Sequence, residues 1–502
     1  MNTPLRRVGL AMMVMIVLLL ANATYVQVIK ADDYRKDPRN QRVLLDEYAR
    51  QRGQIIAGDN KTQLANVTGT TDRLRYLRTY PNGALYAPVT GYYSTIYSSN
   101  GIEHAEDDVL NGSDDRLFVR RLSDLITGRD PRGGSVQTSI NTAAQQAAYT
   151  ALTSRGLTGA VVAIDPKTGQ ILASVSTPSY DPNRLASHDG TEQKKAWTEY
   201  TDPNGPQPML NRAVTATYPP GSTFKLVVTA AALADGKNKD TQLTAAPTID
   251  INKNTKLENY NGSTCGSGQT ASLQDALALS CNTAFAQLAH DLGPDKLRDQ
   301  AAKFGIGQNG LQVPLPVSRS CIGPTVPSDN CMTIADSDAL YSTGIGQRDV
   351  SLTPLENAEI AATIANGGQR MQPNMVKAIL GPDLSPVETT KPVVAGQAMS
   401  SDDAATLRDM MIKSEQHTGG EGQLSGVTIA SKTGTAEHGT DPRHTPPHAW
   451  YVAFDASTPG GPKVAVAVIV ENGGDRGLGA TGGKVAAPIG RAVIGAILGG
   501  GG

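Results

Sequence analysis

This sequence has no excess of charge of either sign. Its 502 residues include 45 lysines and arginines and 47 acidic residues, so the formal net charge is −2. It also lacks a basic cluster with interleaved aromatic residues, which is the usual footprint of a nucleic-acid-binding surface. We therefore expect no nucleic-acid partner.

Conventional metal-binding patterns are also missing. The four cysteines contain no Cys-x-x-Cys pair, the spacing typical of structural zinc sites. His438, His444 and His448 lie in a proline-rich loop, which does not place them on one face as a His-x-x-x-His helix would. We expect solvated histidines, no metal and no cofactor.

A regular alternation of strands and helices is absent, so a parallel sheet is not expected and the mixed signals indicate an α+β fold. The chain is long enough for more than one domain. We predict a membrane anchor over residues 1–30, a non-catalytic pedestal domain over residues 31–150, and a catalytic domain over residues 151–502.

The N-terminus places the protein at a membrane. Arg6 and Arg7 precede an apolar stretch that runs from Val8 to Ala21 and extends with interruptions to Ile29. About 20 apolar residues span a bilayer, and flanking arginines favour the cytoplasmic side. This predicts a single-pass anchor with the catalytic domain outside the cell. Ala21-Asn22-Ala23 also resembles a signal-peptidase site, so a cleaved signal peptide remains the alternative.

Cysteines outside the membrane favour disulfides. Four cysteines allow three pairings, and spacing alone does not select one. We favour Cys265 with Cys281 and Cys321 with Cys331, because short loops join segments already close in sequence. Four separate buried thiols are the alternative.

A short motif pairs a nucleophile with a base. Ser222-Thr223-Phe224-Lys225 follows a Pro-Pro-Gly entrance and precedes a nearly continuous apolar run. Residues three apart share a helix face. Burial of that helix would lower the pKa of Lys225, so that its amine could take the proton of Ser222.

Two further motifs strengthen this interpretation, since Ser-x-x-Lys alone is common by chance. Ser280-Cys281-Asn282 ends an apolar helical stretch, and Lys432-Thr433-Gly434-Thr435 ends a strand-like run. The three motifs, in this order, resemble those of penicillin-binding proteins and serine β-lactamases.

The resemblance covers nearly the whole chain. The segments that are similar to class B penicillin-binding proteins are the hairpin at 160–173, Tyr218-Pro219-Pro220-Gly221 before the serine, and, in the first domain, Arg52-Gly53 and Gly101-Ile102-Glu103. It implies a transpeptidase-type domain with a central antiparallel sheet flanked by helices. No Glu-x-x-Leu-Asn sequence follows at the distance that β-lactamases use for deacylation, which favours a long-lived acyl-enzyme.

The resemblance also implies a role for each residue of the motifs. Ser222 attacks, Lys225 is its base, and Ser280 relays the proton to the leaving amine. Asn282 positions the substrate and Lys225. Lys432 would be a permanent cation that keeps Lys225 neutral and meets a substrate carboxylate, which the hydroxyls of Thr433 and Thr435 also contact. Gly434 would leave room for the substrate along the strand edge.

The implied function is D,D-transpeptidation of peptidoglycan stem peptides, presented on a lipid-linked precursor, with β-lactams as inhibitors. The same residues would serve a D,D-carboxypeptidase or a β-lactamase, which use water as acceptor. A β-lactam-binding morphogenetic scaffold is the non-enzymatic alternative. A glycosyltransferase and proteins of division or elongation are the other expected partners.

Sequencing the N-terminus of the mature protein distinguishes the anchor from a signal peptide. We expect the native terminus to be retained, because the apolar stretch extends beyond Ala23. A new terminus at Thr24 would contradict the anchor.

Overall fold

The computed structural model describes residues 2–30, 34, 48, 50–118, 122, 126–127, 132–324, 330–442 and 444–499. Parts of the predicted pedestal domain, chiefly residues 31–33, 35–47, 119–121 and 123–125, lie outside the described residues. The predicted domain bounds remain a prediction.

Helices and strands are numbered here in chain order. The helices are α1 Asn2–Thr24, α2 Gly83–Thr90, α3 Ile102–Ala105, α4 Asp107–Asn111, α5 Thr142–Thr153, α6 Asn183–Ala186, α7 Gly190–Tyr200, α8 Lys225–Ala234, α9 Leu273–Ala278, α10 Asn282–Leu292, α11 Pro294–Phe304, α12 Ser337–Thr343, α13 Pro354–Ala365, α14 Ser401–His417, α15 Gly482–Val485 and α16 Ala487–Gly499. The strands are β1 Ile55–Ile56, β2 Gln63–Gly69, β3 Tyr76–Thr79, β4 Tyr93–Ser94, β5 Ser98–Ser99, β6 Ser135–Thr138, β7 Gly159–Ile164, β8 Ile171–Thr177, β9 Gln242–Thr244, β10 Thr248–Asp250, β11 Lys256–Glu258, β12 Thr270–Ser272, β13 Gln369–Met371, β14 Val376–Leu380, β15 Pro386–Thr389, β16 Val394–Gln397, β17 Ile429–Ala436, β18 His448–Asp455 and β19 Ala465–Val470.

The first helix is apolar along its length. Pro4–Ile29 spans 26 residues with a mean hydropathy of 2.1, and none of it is buried in the rest of the molecule. A helix of this length and composition can cross a bilayer. This agrees with the membrane anchor predicted for residues 1–30.

A five-stranded antiparallel sheet forms the centre of the larger domain, in the order β17-β18-β19-β7-β8. Alternate residues of β7 face different layers. Val161 and Ala163 pack in a cluster with α5 and α16, whereas Val162 and Ile164 pack in the cluster that contains α13. Because helices cover both faces, every residue of β7, β18 and β19 is buried. The predicted α+β fold with a central antiparallel sheet is confirmed.

Several of these helices have a side-chain cap at their N-terminus. Asn141 accepts from the amide of Ala144 at the start of α5, and Thr353 accepts from Glu356 at the start of α13. Such caps satisfy backbone N–H groups that a helix leaves without partners. Helix α10 begins differently, since its N-cap residue, Cys281, makes no side-chain cap hydrogen bond.

A second sheet joins distant parts of the chain. It has six strands in the order β15-β14-β6-β1-β2-β3. Strands β14 and β15 come from residues 376–389, and β14 pairs antiparallel with β6, with Val376 opposite Thr138 and Ile379 opposite Val136. The pedestal is therefore completed by a hairpin from the catalytic half of the chain.

A buried carboxylate holds the pedestal together. Glu103 is 0% exposed, and its two oxygens accept from Nε of Arg52 at 2.7 Å and Nε of Arg78 at 2.5 Å. The hydroxyl of Tyr80 donates to the same carboxylate at 3.0 Å. Burial alone would raise the pKa of Glu103, but Arg78 and Arg52 hold it below its usual value.

We expect Glu103→Gln to lower the free energy of unfolding by about 3–5 kcal/mol, because two guanidinium groups would lose a buried counterion. Glu388→Gln is the control, since it removes an exposed ion pair to Arg116 on the same sheet and should cost less than about 1 kcal/mol. Urea unfolding of the purified protein measures both. Equal effects of the two variants would contradict the structural role of Glu103.

Candidate active site

The three sequence motifs meet around one amine. Lys225 Nζ donates to the backbone oxygen of Ser280 at 2.8 Å and to Oδ1 of Asn282 at 2.8 Å, and lies 3.5 Å from Ser280 Oγ. Lys432 Nζ donates to the same Ser280 Oγ at 2.8 Å. Residues separated by up to 207 positions in sequence thus share one hydrogen-bonded cluster.

Ser222 stands at the entrance of helix α8. A single 3₁₀ turn, Gly221–Phe224, precedes the helix, and Lys225 is its first residue. The hydroxyl of Ser222 is half-buried, and among the described residues it makes no hydrogen bond. The resting amine is therefore held by the second motif and not by the nucleophile, which differs from the direct pairing expected from the spacing.

Burial explains how Lys225 could act as a base. The side chain is 0% exposed, and every residue of α8 except the last is buried. Desolvation lowers the pKa of Lys225 well below its ordinary value, and the nearby Lys432 lowers it further. Burial therefore favours the neutral form of this amine over the charged form.

The two short hydrogen bonds of Lys225 also orient its lone pair. The carbonyl oxygen of Ser280 and Oδ1 of Asn282 can only accept. Together they occupy both N–H groups of a neutral amine. The lone pair is left free to accept a proton.

Ser280 adopts a conformation that serine rarely takes. Its φ is +60°, in the left-handed region where helices usually end on glycine. The amide of Ser280 donates to Leu277 O, and that of Cys281 donates to Ala276 O, which closes the C-terminus of α9. The strained turn brings both the carbonyl and the hydroxyl of Ser280 toward Lys225.

A disulfide fastens the second motif. The structure joins Cys265 to Cys281, with the two Cα atoms 5.7 Å apart. Cys281 lies between Ser280 and Asn282, so the link ties the motif to the preceding loop. A second disulfide joins Cys321 to Cys331. Both pairs are the ones favoured from the sequence.

Lys432 differs from the permanent cation that was expected. It is 1% exposed, and burial lowers its pKa to about 7. Its charge is therefore partial at neutral pH and depends on what binds beside it. A substrate carboxylate would favour the protonated form.

Strand β17 is an edge strand that lines the cleft. Among the described residues it pairs only with β18. Thr435 is exposed and Thr433 half-buried, while Lys432 and Gly434 alternate with them and are buried. The two threonine hydroxyls are thus available on the outer face.

Gly434 is required for a reason that the sequence did not suggest. A Cβ atom there would lie 2.8 Å from Pro220 O and 3.1 Å from Thr223 Cγ2. It would therefore collide with the turn that carries Ser222. The glycine permits close contact between strand and nucleophile, which is an internal packing constraint.

Sequence reasoning missed the residues that fix the approach to Ser222. Glu471 Oε1 accepts from the Tyr218 hydroxyl at 2.6 Å and from Arg212 Nε at 2.9 Å. Trp450 Nε1 donates to Pro219 O at 2.9 Å. Glu471 is 253 residues from Tyr218, so no local pattern connected them.

The three histidines do not all lie in solvent. His448 is 7% exposed at the start of β18 and stacks on His438, with ring centroids 3.8 Å apart. Only His444 is an exposed loop residue, paired with Asp441. The prediction of three solvated histidines is wrong for His448, because the start of β18 was not recognised. No group of potential metal ligands was found in the part of the chain that the structure describes.

Comparison with protein families assigns both domains. The family model described as penicillin binding protein transpeptidase domain matches residues 159–495. The model described as penicillin binding protein A dimerisation domain matches residues 52–136. The chain belongs to the penicillin-binding protein transpeptidase family.

Individual relatives are similar over almost their full length. Peptidoglycan D,D-transpeptidase PbpA of Mycolicibacterium smegmatis is 57% identical over 503 residues, which is 99% of each chain. The protein of the same name from Mycobacterium tuberculosis is 56% identical, also over 99% of each chain. The ceftriaxone acyl-enzyme structure of penicillin-binding protein A from M. tuberculosis matches with a TM-score of 0.85 and 55% identity, covering 90% of this chain and 100% of that one.

We expect acylation by a carboxylate-bearing penicillin to slow as the pH rises above about 7, where Lys432 loses its proton. The second-order rate constant reports the free enzyme, so its decline should approach roughly tenfold per pH unit. Deprotonation of Lys225, whose pKa burial lowers, would make the base available and raise the rate with pH, so a decline reports Lys432. Stopped-flow measurements across the pH range provide the test.

Lys432→Arg is the matched control. Arginine stays protonated throughout, so this variant should react more slowly but without the decline. A wild-type profile that stays flat to pH 9 would contradict a role for the Lys432 charge.

Proposed function

We propose that this protein is a serine-type peptidoglycan D,D-transpeptidase. The observation that carries this proposal is the buried amine of Lys225, which Ser280 and Asn282 hold one helical turn after the half-buried Ser222. The relatives named peptidoglycan D,D-transpeptidase in the two mycobacteria support the substrate assignment.

Acylation begins with Ser222. Its oxygen forms a bond to the carbonyl carbon of the terminal D-Ala-D-Ala peptide bond, while its proton passes to the lone pair of Lys225. The carbonyl becomes an oxyanion, which the backbone N–H groups of Ser222 and Thr435 would stabilise. A Cβ atom on Gly221 would lie 2.8 Å from Thr435 O, so the nucleophile turn and strand β17 are in close contact at this point.

Release of the leaving group uses Ser280. The C–N bond breaks, and the proton moves from Lys225 through Ser280 Oγ to the amine of the departing D-alanine. Ser280 Oγ lies between the two lysines, 3.5 Å from Lys225 Nζ and 2.8 Å from Lys432 Nζ. An amine of a neighbouring stem peptide then forms an amide bond to the acyl carbon as the ester C–O bond to Ser222 breaks, and the proton that the amine loses returns through Ser280 Oγ and Lys225 to the Ser222 oxygen.

Substrate binding would use the edge of β17. Its free backbone groups can pair with an extended peptide, and Lys432, Thr433 and Thr435 would receive the terminal carboxylate. Asn282 would direct its amide to the substrate carbonyl. β-Lactams would enter the same cleft as mimics, as the acyl-enzyme structures of the M. tuberculosis relative with ceftriaxone, imipenem and penicillin G suggest.

The first helix supports a cellular setting at the membrane. A single span over Pro4–Ile29, with Arg6 and Arg7 inside, would place the catalytic domain outside the cell, where lipid-linked precursor is polymerised. The pedestal would offer a docking surface to a glycosyltransferase and to proteins of division or elongation.

Labelled penicillin tests this function directly. We expect one slowly hydrolysed adduct per molecule, located on Ser222 by peptide mass mapping, because no deacylating carboxylate motif is present in the sequence. Ser222→Ala should abolish it, and Ser187→Ala, in a turn outside the cleft, should not. Rapid release of hydrolysed drug would indicate a β-lactamase or carboxypeptidase. Rescue of a deletion strain by Ser222→Ala would favour the scaffold.

A further inference from the structure

Asn259 supplies the cap that helix α10 lacks. It follows strand β11 and is 5% exposed. Its Oδ1 accepts from the amides of Asn282 at 2.7 Å and Thr283 at 3.0 Å, and from the Thr283 hydroxyl at 3.3 Å. Both belong to the first turn, whose N–H groups have no partner within the helix, and that of Thr283, at position N2, is one that an N-cap side chain normally satisfies. Cys281 occupies the N-cap position, but its sulfur is bonded to Cys265.

The other end of the same amide holds the preceding loop. Asn259 Nδ2 donates to Ala246 O at 3.2 Å and to Ser263 O at 3.0 Å. An amide is suited to this position because one end accepts from N–H groups while the other donates to carbonyls. A carboxylate would face the two carbonyl oxygens, and an alanine would leave buried groups without partners.

Glu258, the residue before Asn259, orients the Asn282 side chain. Asn282 Nδ2 donates to Glu258 O at 3.4 Å, which turns Oδ1 toward Lys225 Nζ at 2.8 Å. The segment 258–259 therefore contacts both the backbone and the side chain of Asn282. A continuous set of hydrogen bonds runs from Asn259 through Asn282 to Lys225.

We propose that Asn259 is a positioning residue for acylation, which holds Asn282 in the orientation that binds the Lys225 amine. This inference rests on the proposed function of Asn282. Asn259 acts through Asn282, and its side-chain hydrogen bonds go to neither Ser222 nor Lys225. The disulfide restrains the backbone at Cys281, whereas Asn259 fixes the direction of the next residue, so the two restraints are separate.

The test separates the noncovalent binding constant K of a fluorescent penicillin from its acylation rate constant k2 by stopped flow. Asn259→Ala should lower k2 by about 10- to 100-fold, because misplacement of a positioning group by up to about 1 Å has effects of this size. K should change much less than k2, since strand β17, which would receive the carboxylate, is intact. Final labelling should still reach one adduct per molecule.

Two variants distinguish positioning from stability alone. Asn183→Ala removes a comparable pair of hydrogen bonds to Tyr80 outside the cleft, so it should lower Tm without changing k2. Asn259→Asp keeps one accepting oxygen. Its second oxygen takes the place of the donating Nδ2 and faces the carbonyls of Ala246 and Ser263. It should lower Tm and yet keep a k2 well above that of Asn259→Ala. It also serves as the test if Asn259→Ala does not fold.

A double-mutant cycle completes the experiment. Asn282→Ala should be slow, and adding Asn259→Ala should slow it no further, because both act through one group. A k2 within twofold of wild type for Asn259→Ala would overturn this inference and leave the proposed function standing. So would a double variant whose loss in k2 is the product of the two single losses. If Asn282→Ala were acylated with the wild-type k2, the proposed function of Asn282 would be wrong, and this inference would fail with it.

Discussion

The proposed site depends on the burial of one amine, which favours its uncharged form. Lys225 is fully buried, and the groups that receive its two short hydrogen bonds, Ser280 O and Asn282 Oδ1, are acceptors without a formal charge. A carboxylate in either place would stabilise the ammonium and remove the base. Lys432 acts in the same direction by repulsion. The rest of the cleft can be understood as the structure needed to hold these partners around that amine.

Holding Ser280 and Asn282 around the amine costs local stability. Ser280 takes a left-handed backbone conformation that glycine would adopt more easily, and its neighbour Cys281 cannot cap α10 because it is in a disulfide. Asn259 provides the missing cap from a different strand connection. Local rules of stability are thus broken at the second motif and compensated by a covalent link and a buried amide, a pattern expected where function requires an unusual geometry.

Some outcomes were predictable because they follow from short-range patterns. The motif residues, the hairpin at 160–173 and the apolar first helix carried their signals in adjacent residues. Other outcomes were not, because their cause lies far away in the chain. The charge of Lys432 depends on burial, the need for Gly434 on the turn at Pro220, and the burial of His448 on its place in β18. Hairpin β14–β15 likewise joins the pedestal across more than 200 residues.

The sequence by itself determined the class of chemistry, the apolar first helix and the α+β architecture, since these depend on which residues are present and on their local spacing. The tertiary structure alone decided which hydrogen bonds Lys225 makes, how strongly each lysine is desolvated, and that Asn259 and Glu471 support the site. Proton affinity and orientation are set by the surrounding atoms within a few ångströms. Those neighbours come from separate segments, which only folding brings together.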